Sequence, residues 1–251
     1  MAENSGIGWT DHTMNFWRGC HKVSTECQHC YIDGLMKLAG REPFNGPMRT
    51  VDWSKPAKWN RQAAKAGRRL RIFTCSMSDF FHEGADPWRP EAWQVIRDCP
   101  ILDWLVLTKR PERVREQLPD DWGDGYPNVW LGVTCGARSS LHRVELLKSL
   151  PAQLRFISAE PLLERIDFRP HLDGSIHWII TGCEQAAKTK RRAMELDWVR
   201  DIDAQCREAG IAHFFKQRYE GTQITDDGLL DGIVRQEWPR SMTEHRQGVV
   251  A

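Results

Sequence analysis

The sequence predicts an α/β protein built as a parallel β/α barrel, partial or complete and similar to a TIM barrel. Three observations lead to this prediction: short apolar runs recur along the chain, amphipathic helical patterns lie between them, and polar residues follow each run directly. Near-continuous apolar runs indicate strands that are buried on both faces. A strand–helix repeat produces right-handed βαβ units and a parallel sheet. A chain of 251 residues is long enough to bury one large core.

Six apolar runs are predicted to be strands, and four helical patterns lie between or after them. The strands are residues 71–75, 104–108, 129–134, 155–158, 177–181 and 212–215. The helices are residues 88–99, 111–118, 139–150 and 196–209. Pro90 and Pro111 stand where the first helical turn tolerates proline, and Gly210 stands where a helix ends. We therefore expect a barrel domain over residues 1–222 and a polar, glycine-rich C-terminal extension over residues 223–251.

The composition is typical of an intracellular enzyme. Hydrophobic residues make up 41% and charged residues 27% of the chain, and the net charge is +1. Residues 1–6 lack the basic and apolar regions of a signal peptide. No apolar run approaches the roughly 20 residues that span a bilayer. We expect a cytoplasmic protein with reduced thiols and no membrane association.

Three closely spaced cysteines, Cys20, Cys27 and Cys30, are the strongest chemical signal in the sequence. Two residues separate the last pair, so one turn can present both sulfurs, and six residues before Cys27 let Cys20 join them from a loop. Three thiolates suit a metal site that keeps one coordination position open. The occupant could be an iron–sulfur cluster, or a structural zinc ion completed by His21 or His29. Three unrelated buried thiols are the remaining alternative.

The other five cysteines are dispersed and are expected to pack in the core. They are Cys75, Cys99, Cys135, Cys183 and Cys206. Cys75 and Cys135 directly follow predicted strands, which makes them the reserve candidates for metal binding.

Polar residues follow all six predicted strands. In chain order they are Ser76, Ser78 and Asp79; Lys109 and Arg110; Cys135 and Gly136; Glu160 and Pro161; Gly182 and Glu184; Lys216 and Gln217. Any one of them could cap a helix. Ligand-binding groups collect at the carboxyl ends of parallel strands, however, so the set is expected to line one site.

Two basic stretches indicate a possible nucleic-acid partner. Residues 55–71 contain seven basic residues and no acidic one, with Trp53 and Trp59 nearby, and residues 188–192 contain four basic residues. Basic side chains interleaved with aromatic rings suit a phosphate backbone and stacked bases. The alternative is a solvated helix face with buried tryptophans.

The cysteine-bearing segment resembles a known family. Trp9–Asp11, Asn15–Cys20 and Cys27–Tyr31 are similar to the phage-associated three-cysteine-motif proteins, a family of unknown function related to radical S-adenosylmethionine (SAM) enzymes. The similarity continues through residues 76–79, 107–111, 129–134, 158–163 and 214–217 and covers roughly residues 7–220.

This resemblance implies a barrel of the radical-SAM type, in which Cys20, Cys27 and Cys30 hold a [4Fe–4S] cluster and SAM occupies the fourth iron. It implies an enzyme that generates an adenosyl radical and takes electrons from a flavodoxin or ferredoxin. The SAM-binding residues, assigned by their location, are Tyr31, Ser76, Ser78, Asp79, Lys109, Glu160 and Glu184. The chain departs from the commonest spacing, which has three residues between the first two cysteines, and His29 replaces the usual aromatic or apolar residue.

Three functions are compatible with these residues. The first is a radical SAM enzyme that modifies or repairs a nucleic acid or nucleoside, as the basic stretches indicate. The second is a radical SAM enzyme that acts on a peptide or a companion protein. The third is a zinc-dependent nucleic-acid-binding protein that performs no redox chemistry.

Overall fold

A computed structural model of the chain describes residues 3–38, 40–42 and 44–239. It has a mixed α/β fold with an eight-stranded, mostly parallel sheet that curls into a half-barrel, as in a partial β/α barrel. The strands are His12–Met14 (β1), Trp17–Arg18 (β2), Met48–Arg49 (β3), Leu70–Thr74 (β4), Leu102–Thr108 (β5), Val129–Thr134 (β6), Leu154–Ala159 (β7), Trp178–Gly182 (β8), Ala212–Glu220 (β9), Gln223–Thr225 (β10), Leu229–Leu230 (β11) and Ile233–Val234 (β12).

The large sheet has the order β1-β4-β5-β6-β7-β8-β9-β10. The β1–β4, β4–β5, β7–β8 and β8–β9 pairs are parallel, and β10 pairs antiparallel with β9. In register, Ile72 of β4 lies opposite Trp104 of β5, and Ile157 of β7 lies opposite Ile179 of β8. The strands are buried along most of their length, which explains their near-continuous apolar sequences.

Within residues 3–38, 40–42 and 44–239, five α-helices accompany the strands. They are Ile32–Leu38 (α1), Lys55–Ala66 (α2), Arg89–Asp98 (α3), His142–Ser149 (α4) and Leu196–Ala209 (α5). Gly210 ends α5 in the left-handed conformation (φ 67°), and its N–H donates to carbonyls of the last turn, as the sequence predicts. No helix in the described part of the chain is long and apolar enough to cross a membrane.

The chain divides into two compact units. The first unit comprises Met1–Lys22, Ile32–Leu131 and Leu150–Gln153. The second comprises Val23–Tyr31, Gly132–Ser149 and Leu154–Ala251. The cysteine motif is divided between them, because Cys20 belongs to the first unit and both Cys27 and Cys30 belong to the second.

Aromatic side chains fill the core of each unit. In the first unit the ring of Phe16 lies 5.9 Å from that of Trp104, and the ring of Phe80 lies 4.9 Å from that of Trp93. In the second unit Trp178 packs between Phe156 and Phe214, with ring distances of 5.7 and 6.2 Å. These large buried rings contribute much of the apolar area that stabilises each core.

The six predicted strands are confirmed, and so are three of the four predicted helices. The predicted helix over residues 111–118 is wrong: two short 3₁₀ turns, Pro111–Arg113 and Arg115–Gln117, occupy the segment. Pro119 follows at once and restricts Leu118 to extended backbone (φ −74°, ψ 146°), so too few residues remain for a stable helix.

The predicted C-terminal extension is folded over its first part. Residues 223–225 pair with β9, and β11 and β12 form a hairpin. The Phe215 N–H donates to the Arg235 carbonyl at 2.6 Å, and the Trp178 indole donates to the Glu237 carbonyl at 2.9 Å. These bonds attach residues 235–237 to the second unit. Residues 240–251 of the predicted extension lie outside the described residues.

The turn after β6 leaves no room for a side chain at Gly136, because a Cβ there would lie 1.9 Å from the Pro161 carbonyl oxygen. We expect Gly136→Ala to lower the free energy of unfolding by about 3 kcal/mol through overpacking. Gly34→Ala in α1 is the matched control, since a Cβ there meets nothing within 4 Å. Alanine at position 34 should stabilise the helix by up to about 1 kcal/mol. Urea unfolding measures both effects, and equal stabilities of the two variants would contradict the packing around Gly136.

Candidate functional site

In the first unit, the loop that carries Cys20 lies at the carboxyl end of β4. The Gly19 N–H donates to the Met77 carbonyl at 2.9 Å, and the Ser78 hydroxyl donates to the Gly19 carbonyl at 2.5 Å. Met77 and Ser78 directly follow β4, so these bonds fix the residue before Cys20 at the strand end. Ser78 was predicted to bind a cofactor, and its hydroxyl here holds the cysteine loop.

Arg110 follows β5 and connects that strand end with Cys20. Its side chain is buried, Nη1 lies 3.8 Å from Cys20 Sγ, and Nη2 donates to the His21 carbonyl at 3.1 Å. Burial and the nearby carboxylate of Asp79 raise the pKa of Cys20 to about 11, against the opposing effect of Arg110. The thiol is therefore protonated at neutral pH unless a bound metal displaces the proton.

The carboxylate of Asp79 is buried and its oxygens are already occupied. It accepts hydrogen bonds from the Thr108 hydroxyl at 2.7 Å, the Lys109 N–H at 2.8 Å and the Phe81 N–H at 2.9 Å. Arg110 Nη1 lies 3.3 Å from the same carboxylate. Asp79 therefore connects the ends of β4 and β5 and orients Arg110.

Two further residues of the predicted set lie at these strand ends. The Ser76 hydroxyl accepts from the Asn15 amide at 3.2 Å, which connects the end of β4 with the end of β1. Lys109 follows β5 next to Arg110, and its backbone N–H is one of the donors to Asp79.

A cluster of two histidines and a carboxylate lies beside Cys20. His21 Nδ1 is 3.1 Å from His82 Nε2 and 3.5 Å from a Glu83 oxygen. Each of these three side chains offers an atom that could bind a metal ion, and the three atoms lie within 4.8 Å of one another. Sequence reasoning considered His21 alone, because 61 residues separate it from His82.

The hydrogen bonds in this cluster argue against a metal ion. The Gly84 N–H donates to His82 Nδ1 at 3.0 Å, so the proton of the neutral ring is on Nε2 and points to His21 Nδ1. Burial, reinforced by Arg110, lowers the pKa of His82 to about 4 and keeps the ring neutral at pH 7. The two facing nitrogens therefore satisfy each other.

In the second unit, Cys27 and Cys30 lie on one turn. A 3₁₀ turn covers Thr25–Cys27, and the Cys30 N–H donates to the Cys27 carbonyl at 3.3 Å. Cys27 is buried and Cys30 is half-buried. Tyr31, predicted to contact SAM, follows directly and is also half-buried.

Glu26 fixes this turn at the carboxyl end of β6. Its buried carboxylate accepts from the Gly136 N–H at 3.3 Å and the Ser140 hydroxyl at 2.5 Å, and Arg143 lies 3.4 Å away. Burial alone would raise the pKa of Glu26, but the hydroxyls and Arg143 outweigh it and hold the pKa at about 2. Glu26 is thus a charged anchor next to Cys27, and sequence reasoning missed it because its partners follow 110 or more residues later.

Glu184 contacts the same turn from the end of β8. Its carboxylate lies 3.2 Å from His29 Nδ1 and pairs with the guanidinium of Arg192, whose backbone N–H donates to it at 3.0 Å. The Tyr219 hydroxyl donates to the Glu184 carbonyl. Burial opposes ionisation, yet the hydrogen bonds from Arg192 lower the pKa of Glu184. The turn of Cys27 and Cys30 is therefore fixed at the carboxyl ends of both β6 and β8.

Glu160, another predicted SAM-binding residue, forms an ion pair with Lys216. Glu160 follows β7 and Lys216 lies in β9, and both side chains are largely buried. The Gln217 amide lies within β9, donates to the Cys183 carbonyl at 2.9 Å and connects β9 with the end of β8. The polar residues of the second unit thus form a hydrogen-bonded set at the strand ends.

Cys75 and Cys135, the reserve metal ligands, have environments that favour the protonated thiol. Burial raises the pKa of Cys75, and it raises that of Cys135 to about 12. The Cys135 thiol donates to the Ala137 carbonyl at 3.7 Å. None of the eight cysteines, all of which lie in the described part of the chain, forms a disulfide.

The first basic stretch combines a buried tryptophan with several cations that have acidic partners. Trp59 is fully buried and its ring stacks on that of His12 at 4.6 Å, which agrees with the alternative of a solvated helix face with buried tryptophans. Four of its seven cations have acidic partners, in the pairs Lys58–Glu3, Arg68–Asp11, Arg69–Asp103 and Arg71–Asp11.

The second basic stretch combines fixed and exposed cations. Arg191 donates to the carbonyls of Ala186 and Thr222, both at 2.8 Å, and its guanidinium lies 5.0 Å from the centre of the Tyr219 ring. Lys188 and Lys190 are exposed on a 3₁₀ turn. This stretch therefore presents two accessible ammonium groups on a loop held in place by Arg191.

The donor set suits a thiolate-bound metal group. Three cysteines occupy loops that buried carboxylates hold at strand ends, and Arg110 supplies a cation beside the sulfur of Cys20. Iron–sulfur clusters are bound by thiolates, and their sulfurs accept hydrogen bonds from the protein. The thiols of each unit, Cys20 in the first and Cys27 and Cys30 in the second, are therefore of the ligand type that such a cluster requires.

Comparison with known protein families gives a match over most of the chain. The family described as "Protein of unknown function (DUF5131)" matches residues 4–245. No curated protein and no solved structure matches the chain.

The depressed pKa of Glu26 predicts a stability that depends on pH. Because the pKa is lower in the folded than in the unfolded chain, the carboxylate stabilises the fold fully above about pH 4.5, and this contribution is lost as the pH falls toward 2. The shift corresponds to roughly 3 kcal/mol. Urea unfolding of wild type and Glu26→Gln between pH 6 and pH 3 tests this: the stability difference should stay constant down to about pH 4.5 and shrink below it. A difference that stays constant with pH would contradict the anchoring role of the Glu26 charge.

Proposed function

We propose that this chain, which belongs to the DUF5131 family, is a radical SAM iron–sulfur enzyme. One observation carries the proposal: in each unit, the part of the cysteine motif that belongs to it is fixed at the carboxyl ends of parallel strands. Cys20 is held there through Ser78 and Arg110, and Cys27 through Glu26. Active sites of β/α barrels collect at that end of their strands.

The proposed ligands are Cys20, Cys27 and Cys30, which together would hold a [4Fe–4S] cluster with one iron left for SAM. When bound, these groups supply one-electron cleavage of SAM and removal of a hydrogen atom from the substrate. The protein's part is to place the thiols, to orient the ligands and to exclude water. Ser78, Asp79 and Glu26 do the placing through the contacts described above.

Tyr31, Ser76, Lys109, Glu160 and Glu184 are the proposed SAM-facing residues, because each follows the cysteine turn or a strand of the sheet. Glu160 and Glu184 each have a basic partner, Lys216 and Arg192 respectively. A carboxylate suits the role of hydrogen-bond acceptor for hydroxyl or amino groups of a bound nucleoside.

Cys27→Ala should abolish iron binding and leave the fold intact, since the proposal gives each motif thiol one iron. Cys206→Ala is the matched control, because Cys206 is a fully buried cysteine of α5 outside the motif. Iron and acid-labile sulfide are measured after anaerobic purification, and circular dichroism checks folding. Full iron content in the Cys27→Ala protein would contradict the ligand assignment.

A zinc-dependent nucleic-acid-binding protein is the second candidate function, and one contact favours it. His29 Nδ1 lies 3.2 Å from the Glu184 carboxylate. Zinc-binding histidines commonly donate from one ring nitrogen to a carboxylate and bind the metal through the other. A colourless protein with one zinc per chain and no sulfide would support this function, and a brown protein with iron and sulfide would support the first.

The proposed substrate is a nucleic acid or nucleoside. Lys188 and Lys190 are its support, because they are exposed on a loop held in place by Arg191. A peptide or companion protein is the alternative substrate, and a flavodoxin or ferredoxin is the proposed electron donor. The near-neutral net charge of +1 limits any nucleic-acid contact to local patches.

Changing Lys188 and Lys190 together to glutamate should weaken oligonucleotide binding about tenfold. The slope of log affinity against log salt concentration should become shallower by an amount that corresponds to about two phosphate contacts. The control carries Arg138→Glu and Arg165→Glu, which change the charge equally at exposed positions of the same unit. Fluorescence anisotropy with single-stranded DNA and RNA at several salt concentrations measures both. Equal binding by the two double variants, or no binding by the wild type, would contradict a nucleic-acid substrate and support a peptide or companion protein instead.

A further inference from the structure

A buried cation lies directly beside the first cysteine of the motif. Arg110 is 4% exposed, and its Nη1 lies 3.8 Å from Cys20 Sγ, within hydrogen-bonding distance for sulfur. Its Nη2 donates to the His21 carbonyl at 3.1 Å. One planar guanidinium therefore contacts both the sulfur and the carbonyl that follows it in the chain.

Carboxylates hold the guanidinium in this position. Asp79 lies 3.3 Å and Glu83 lies 3.5 Å from Arg110 nitrogens. Asp79 is itself 5% exposed and accepts hydrogen bonds from Thr108 and from the Lys109 N–H. Burial of an arginine side chain is costly unless the guanidinium is paired with a carboxylate and hydrogen-bonded. Arg110 has both kinds of partner. The cation is thus placed rigidly against Cys20.

We propose that Arg110 is a positioning residue that brings its positive charge to the sulfur of Cys20 and thereby raises the reduction potential of the iron–sulfur group bound there. The inference rests on the proposed function. Reduction adds one electron from a low-potential donor and makes the cluster more negative by one charge. A nearby cation stabilises the more negative state, and hydrogen bonds to cluster sulfurs are known determinants of potential.

Arg110→Gln tests the charge, because glutamine keeps a hydrogen-bond donor and removes the cation. At a fixed potential, the ratio of reduced to oxidised cluster should fall about tenfold, equivalent to about 59 mV for a one-electron couple. Dye-coupled spectroelectrochemistry of the reconstituted protein measures this ratio. The matched control is Arg113→Gln, which removes a cation three residues away that donates to the Phe81 carbonyl and pairs with Asp86. The control ratio should stay within twofold of wild type.

Arg110→Lys is the second variant and keeps the proposal testable if the glutamine variant does not fold. Lysine retains the charge but lacks the planar fork that contacts both Cys20 and the His21 carbonyl. An intermediate decrease of about threefold is expected. A wild-type ratio in Arg110→Gln would overturn the proposal, and so would a full tenfold decrease in Arg110→Lys, which keeps the charge. An equal change in Arg113→Gln would also overturn it.

A readout on the metal-free protein separates this inference from the proposed function. In the folded apoprotein, iodoacetamide should alkylate Cys20 about tenfold more slowly in Arg110→Gln than in wild type, because the guanidinium stabilises negative charge on the sulfur. Peptide mass spectrometry reports the rate for each cysteine. If the protein binds no cluster, the proposed function fails while this rate still decides the role of Arg110. Equal alkylation rates in the two proteins would overturn the inference.

Discussion

A buried carboxylate is stable only when cations and hydrogen-bond donors surround it, and this constraint positions the cysteine motif in both units. In the first unit, Asp79 accepts hydrogen bonds from residues at the end of β5 and orients Arg110 against Cys20. In the second unit, Glu26 directly precedes Cys27 and accepts hydrogen bonds from the turn after β6, which fixes its position. Loops that carry metal ligands are otherwise among the more mobile parts of a protein, so anchors of this kind keep the thiols in place.

The same chemistry explains why the residues at the strand ends differ in role although they look alike in sequence. The side chains of Ser78 and Asp79 form hydrogen bonds with the cysteine loop and with residues at the neighbouring strand ends. Glu160 instead forms an ion pair with Lys216, and Glu184 contacts both Arg192 and His29. Ser78, Asp79 and Glu184 therefore hold the loops of the cysteine motif, whereas the Glu160–Lys216 pair connects β7 with β9.

Much of the fold could be predicted from the sequence, because its elements have strong local signals. Continuous apolar runs predicted all six central strands, and α5 agrees with its predicted range of residues 196–209. Short elements such as β1 were missed, since three residues carry no periodicity. The role of Trp59 and the His21–His82 contact depend on residues far apart in the chain, and no local pattern reports such contacts. The cysteine motif could be recognised from the sequence because its members are close together in the chain. The anchoring roles of Glu26 and Arg110 could not, because they depend on contacts that only the fold brings about.

Electron paramagnetic resonance of the anaerobically reduced protein, recorded with and without SAM, tests the central claim most directly. SAM is proposed to occupy the one iron that no cysteine binds, so its addition should change the signal of a reduced [4Fe–4S] cluster. The account predicts such a signal, its change with SAM, and its loss when any of Cys20, Cys27 and Cys30 is replaced by alanine. A reduced protein without an iron–sulfur signal, or a signal that SAM leaves unchanged, would contradict it.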